Sequence, residues 1–172
     1  MSQSRLNQPL QYMQRMRDYY LALGYNNPYQ WANFSQVPFQ FLEKPVGSSR
    51  VGLVTTAAPF KPDAGNQGPR APYNAAAKFY QVYAGNSAQD EFLGISHVSY
   101  DRGHTTAEDI NSYFPLQALR QAEALGEIGS LSPRYYGFPT NRSQPTTQNQ
   151  DSPNLLALLR QDEVDLAILV AN

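Results

Sequence analysis

Both histidines of the chain lie in one short stretch, "FLGISHVSYDRGHTTAEDIN", residues 92–111. With His97 and His104 come Tyr100, Asp101, Arg102, Glu108, Asp109 and Asn111, directly after a short apolar run that predicts a buried strand. Three chemistries suit these residue types. His97, Asp101 and His104 have ligand types and spacing for a divalent metal and hence a metal-dependent hydrolase, although Gly103 and the preceding strand argue against the helix that would align them. A histidine at the carboxyl end of a strand, beside a tyrosine and an aspartate, is placed for acid–base work in an α/β fold. Equally, His97 could end the strand while Asp101 and Asp109 cap turns. The local pattern leaves these alternatives open.

Other constellations are weaker. The glycines of "DAGNQGP" lack the following Gly-Lys-Ser/Thr of a phosphate loop, and no dinucleotide fingerprint is present. Glu123 with Glu127, and Asp162, Glu163 and Asp165, are expected to be solvated charges at helix ends. The serines lack the strand–elbow–helix setting of a nucleophile.

The elements that must position the polar stretch follow from periodicity. Leu6, Leu10, Met13, Met16, Tyr20 and Leu21 predict a helix over 6–23, stopped at Gly24. Residues 25–41, "YNNPYQWANFSQVPFQF", have no period; they are expected either to pack over the domain or to meet a partner subunit. "RVGLVTTA", 50–57, and "VDLAILVA", 164–171, read as buried strands, with "EFLGIS", 91–96, and the start of "IGSLSPRYYGF", 128–138, as others. Residues 58–90 form a long connection, with a short helix or strand in "YNAAAKFYQVYAG". Pro115 opens one helix, and Ser152 with Pro153 caps another after a flexible 139–151. The alternation predicts an α/β fold: a three-layer, mainly parallel sheet flanked by helices, resembling half of a Rossmann-like sheet. Residues 1–47 are expected to form a helical and aromatic extension, and 48–172 the α/β domain.

Composition narrows the function. The 172 residues carry a net charge of −1 with 16% charged residues, so no basic face for nucleic acid is expected. Sixteen Gln and twelve Asn carry the polar load instead. There is no cysteine, which removes disulfides, thiolate metal sites and a thiol nucleophile from this sequence. No secretory signal or membrane-length apolar run is visible, so a soluble, cytoplasmic protein is expected.

Taken in order, "SSRVGLVTTAAPF", "EFLGISHVSYD", "EDINSYFPLQALRQAEALGEIGSLSPRYYGF" and "LLALLRQDEVDLAILV" resemble the selenoprotein B family, the substrate-processing subunits of glycine, sarcosine, betaine and D-proline reductases. The resemblance spans about 48–171 and leaves the aromatic N-terminal segment outside it. It implies reductive C–N cleavage beside a carboxylate, with a dithiol as reductant and no further cofactor. The family's selenocysteine or cysteine follows the strand that here reads "LAILVA", where a helix N-terminus would lower its pKa. The stop at Asn172 is therefore expected to reflect a selenocysteine codon read as a terminator, a thiol-free relative, or a trimmed chain. Within the resemblance His97, Tyr100 and Asp101 are the expected catalytic residues. Arg102, Asp109, Asn111 and Arg134 are expected on the substrate side, with Arg102 or Arg134 meeting the carboxylate as a bidentate pair and Asp109 and Asn111 holding the loop. A small amino-acid-like carboxylate is the expected substrate. A homo-oligomer or a partner reductase subunit is the expected assembly, with no nucleic acid and no membrane. A non-catalytic binding or scaffold subunit of the same fold is the alternative.

Overall fold

The computed structural model describes residues 11–27, 30–98, 100–101, 105–141 and 143–171. Its centre is β1 (Arg50–Thr55), hydrogen-bonded on both edges. On one edge lies β7 (Leu166–Val170), parallel, with Val51 opposite Leu166 and Thr55 opposite Val170. On the other edge β1 pairs in parallel with two short strands in succession, β5 (Ser130–Leu131) and β6 (Arg134–Gly137). β3 (Tyr83–Asn86) then adds antiparallel to β6. The strand expected at the start of 128–138 is β5, and where a turn was expected to follow, the chain forms a second strand, β6, the two split at Ser132 and Pro133.

The sheet is flanked by helices on both faces, which is the three-layer arrangement the alternation implies. Val51 and Leu53 face a core completed by Phe114, Leu116 and Leu119, the last two from α2 (Leu116–Ala124). Val54 and Tyr136 face Leu155, Leu158 and Leu159 of α4 (Ser152–Gln161). Alternate residues of β1 therefore bury on opposite faces, so a strand covered on both sides reads as a continuous apolar run. β2 (Ala58–Pro59) and β4 (Leu93–Gly94) pair antiparallel in a separate two-stranded sheet. The expected strand 91–96 is therefore reduced to two residues and lies outside the main sheet.

β3 and β6 pack through reciprocal tyrosine–glycine pairs. Tyr83 lies opposite Gly137, and Gly85 opposite Tyr135. A Cβ at either glycine would overlap the facing ring. Each ring thus covers the backbone that the glycine leaves open, and Tyr83 is fixed further by donating from its hydroxyl to the Ala57 carbonyl at 2.7 Å.

Two local expectations change. α1 runs from Tyr12 to Ala22, and the predicted start at residue 6 falls outside the described residues. The stretch 139–151 is not loop throughout: α3 (Gln144–Thr146) continues through a π-helical turn at Thr147–Asp151 into α4. Ser143, not Ser152, is the capping residue, its Oγ accepting from the Thr146 amide at 3.3 Å. The run Ser143-Gln144-Pro145-Thr146, with its proline in the first turn, was a start signal as good as the one at Ser152.

Candidate functional site

Parallel pairing points the ends of β1, β6 and β7 the same way, and in such sheets ligands gather at the carboxyl ends. Thr55, the last residue of β1, is fully buried. Its Oγ1 donates to the Tyr113 carbonyl at 2.8 Å and accepts from the Ala57 amide at 3.0 Å. The Tyr113 hydroxyl donates in turn to the Leu93 carbonyl at 3.2 Å. These bonds pin both ends of the polar stretch, 93 and 113, against the carboxyl end of the central strand.

Between the pins the stretch folds back on itself. The Tyr100 amide donates to the His97 carbonyl at 3.4 Å, and the Thr105 amide to the Asp101 carbonyl at 3.0 Å. Tyr100 lines a small cavity with Gln67, Gly94, Ile95, Ala107 and Tyr113. Asp109 accepts at Oδ1 from the amide and side-chain nitrogens of Asn111, at 2.9 and 3.1 Å, and Ser112 Oγ donates to its carbonyl at 2.8 Å. Asp109 and Asn111 thus close a local turn. His97, Tyr100 and Asp101 are half-buried on the same folded segment. Arg102 and His104 lie outside the described residues, so neither the proposed carboxylate contact of Arg102 nor the His97, Asp101 and His104 metal set is described.

The opposite wall comes from the long connection 58–78. Gln67 is buried and ties it together, its Oε1 accepting from the Lys61 amide at 3.0 Å and its Nε2 donating to the Lys61 carbonyl at 2.6 Å. Ser96 Oγ donates to the Asn74 carbonyl at 3.0 Å, and Arg70 pairs with Glu108. Ala107, buried between the two walls, has φ of 60°. A non-glycine residue in the left-handed region is strained by about 1 kcal/mol and is kept there only by its surroundings.

On the α4 side of the same sheet end is a second cavity of about 310 Å³, lined by Val54, Thr55, Phe138, Ser152, Leu155 and Leu169 among others. Its walls are mostly apolar. Thr55 belongs to both environments, since its side chain holds the polar loop while the residue borders this cavity. The sequence pattern gave Thr55 no role and Ser152 only that of a helix cap. The available signal was position: a hydroxyl at the last residue of a buried strand, and one opening a helix at the same end.

Arg134 sits elsewhere. It is the first residue of β6, at the amino end of the sheet, where its Nε and Nη2 donate to the two carboxylate oxygens of Asp162 at 2.8 Å each. Tyr136 donates to the same carboxylate at 2.5 Å and shares a 2.8 Å bond with Ser132 Oγ. The Arg134 hydrogen bonds hold the Asp162 carboxyl below its usual range, burial opposes this, and the Tyr136 bond reinforces it. Burial chiefly pushes the Tyr136 phenol up to about 12. Asp162 is therefore no solvated helix-end charge: its side chain is 9% exposed and fully engaged. Asp165 likewise accepts from the Arg50 amide at 2.7 Å and from Lys44. The alternation of Arg134 and Tyr136, two polar-tipped side chains on one strand face, was the overlooked signal.

No family model matches the chain, and no solved structure does. Among the described residues no helix is long and apolar enough to cross a membrane. One curated protein is similar: the gamma subunit of D-proline reductase from Acetoanaerobium sticklandii, 29% identical over 101 residues. That alignment covers 58% of this chain and 41% of the relative, so the chain matches less than half of that subunit's length. The similarity is distant and partial, and it relates this α/β chain to a subunit of a reductase.

Proposed function

We propose that this chain forms the substrate-side part of an oxidoreductase of the selenoprotein B type, acting on a small amino-acid-like carboxylate. In overall balance a C–N bond breaks, carbon and nitrogen each gain a hydrogen, and a dithiol donor becomes a disulfide. With no cysteine in the 172 residues, the selenol or thiol that enters this chemistry comes from outside this sequence. His97 serves as acid–base group or substrate contact, with Tyr100 and Asp101 beside it in the chain. Arg102 pairs with the substrate carboxylate; Arg134, already bidentate to Asp162 at the other end of the sheet, serves the scaffold. Asp109 and Asn111 keep the loop in shape. The assembly is a homo-oligomer or includes a partner reductase subunit.

What supports this reading above all is a polar loop fastened by Thr55 and Tyr113 to the carboxyl end of β1, in a chain similar to a D-proline reductase subunit. The missing cysteine favours a second reading, a binding subunit without catalysis. An NMR titration with D-proline, sarcosine, betaine and glycine tests both. Saturable shifts within 93–113, lost in Arg102→Ala and His97→Ala, are expected under either. Dithiol-dependent product formation by the native assembly, abolished by His97→Ala, then selects the reductase; binding without turnover selects the second reading. No binding by any of the four, or shifts clustered at Arg134 and Asp162, overturns the site.

A further inference from the structure

The segment between α1 and β1 turns a row of apolar side chains to solvent. Residues 30–42 contain no helix or strand, and Phe34, Val37, Phe39 and Phe41 are 61%, 81%, 78% and 78% exposed. The Phe39 and Phe41 rings meet edge to face with centroids 5.0 Å apart, so residues two apart present one aromatic surface. This strap is held at both ends. Gln144 Nε2 donates to the Gln30 carbonyl at 2.9 Å, at the start of the helix that leads into α4. Lys44 Nζ lies 2.6 Å from Asp165 Oδ2, immediately before β7. Tethering at two points limits the freedom the strap would lose on docking.

We propose that the strap, residues 31–42, is the surface through which a second copy of this chain docks about a two-fold axis. Its charge content selects this occupant. From Tyr19 to Leu42 the sequence has no Asp, Glu, Lys, Arg or His. In a two-fold contact each patch meets itself, so a charged patch sets like charges together and an uncharged one does not. A strap recognised by a different, charged partner would carry the complementary sign. The size also fits. Trp31, Phe34, Val37, Phe39, Phe41 and Leu42, at 38–81% exposure, present on the order of 800 Å², the share each partner contributes to a stable interface of standard size. The inference does not depend on the reductase reading.

Sedimentation of the full 172-residue chain up to about 200 μM tests it, together with the double variant Phe39→Ser/Phe41→Ser. A dimer is expected, weakened about 100-fold in the variant, with an unchanged thermal melt at a dilution where both chains are monomeric, because both side chains point to solvent. The absence of cysteine permits a second, site-specific measurement. A spin label attached through Gln40→Cys is the sole label on each copy, and a short label-to-label distance is expected across the two-fold. A wild-type chain that stays monomeric overturns the proposal. So does a dimer that survives the double substitution, or one whose labels show no dipolar coupling.

Discussion

The two ends of the central sheet solve the problem of polar groups differently. At the amino end, Lys44, Arg50 and Arg134 each have a carboxylate partner, in Asp165, Glu163 and Asp162. Tyr136 and Ser132 complete the Asp162 set inside the fold. At the carboxyl end the loop is fastened to the sheet by neutral groups, the Thr55 and Tyr113 hydroxyls and the Gln67 amide, while the Asp109 carboxylate closes its own turn and Arg70 pairs with Glu108 in the open. A satisfied bidentate pair locks two elements together but leaves its charges little to offer a ligand. Charge density alone therefore marks the ion-paired end of the sheet and not the end proposed for the site.

Substitutions at the two ends should separate framework from site. The largest effect is expected at Gly137, whose replacement by alanine drives a Cβ into the half-buried Tyr83 ring and costs about 3 kcal/mol or more in urea unfolding. A cost under about 1 kcal/mol would mean that the Tyr83 ring moves freely and that the tyrosine–glycine contacts of β3 and β6 are not rigid. Asp162→Ala comes next, at about 2–3 kcal/mol, because it strips Arg134 and Tyr136 together. The double variant Arg134→Ala/Asp162→Ala should cost less than the sum of the single ones. Since the native pKa of Asp162 is depressed, its contribution is complete above about pH 4, the unfolded carboxylate value. It is lost as pH falls through the lower native value. Wild-type stability should therefore fall more steeply on acidification than that of Asp162→Asn, and equal slopes would remove Asp162 from the framework. Thr55→Val keeps the shape but orphans the Ala57 amide and the Tyr113 carbonyl, at about 2 kcal/mol. It should also loosen hydrogen exchange in 93–113 while leaving the amino end unchanged. The smallest effect is a gain. Glu163 has φ of 52°, so Glu163→Gly should stabilise by about 0.5–1 kcal/mol, less whatever its exposed pair with Arg50 contributes.

What the sequence disclosed depended on whether a signal was local. β1 and β7 are buried on alternate faces by helices, so their uninterrupted apolar runs identify them without knowledge of partners. The helix of Leu155, Leu158 and Leu159 was legible for the same reason. The apolar run at 92–95 gave the same signal, yet only Leu93 and Gly94 pair, because their partner is Ala58–Pro59 in a separate sheet. No pattern within the run encodes that partner. Likewise Asp162 looks like any acidic residue after a helix, and only the pairing of β6 with β1 brings Arg134 and Tyr136 to it. The Asp109–Asn111 turn is local, since an aspartate capping its own turn needs no distant partner.

The register of β1 also sets a timetable for biosynthesis. Arg50 receives its partner Asp165 from 115 residues further along the chain. At 5–20 residues per second, the first strand waits about 6–23 s on the ribosome before β7 exists to meet it. During that interval β5 and β6 emerge first and can occupy the opposite edge. A nascent chain arrested after Gly137 should therefore protect one side of β1 and leave the other to a chaperone.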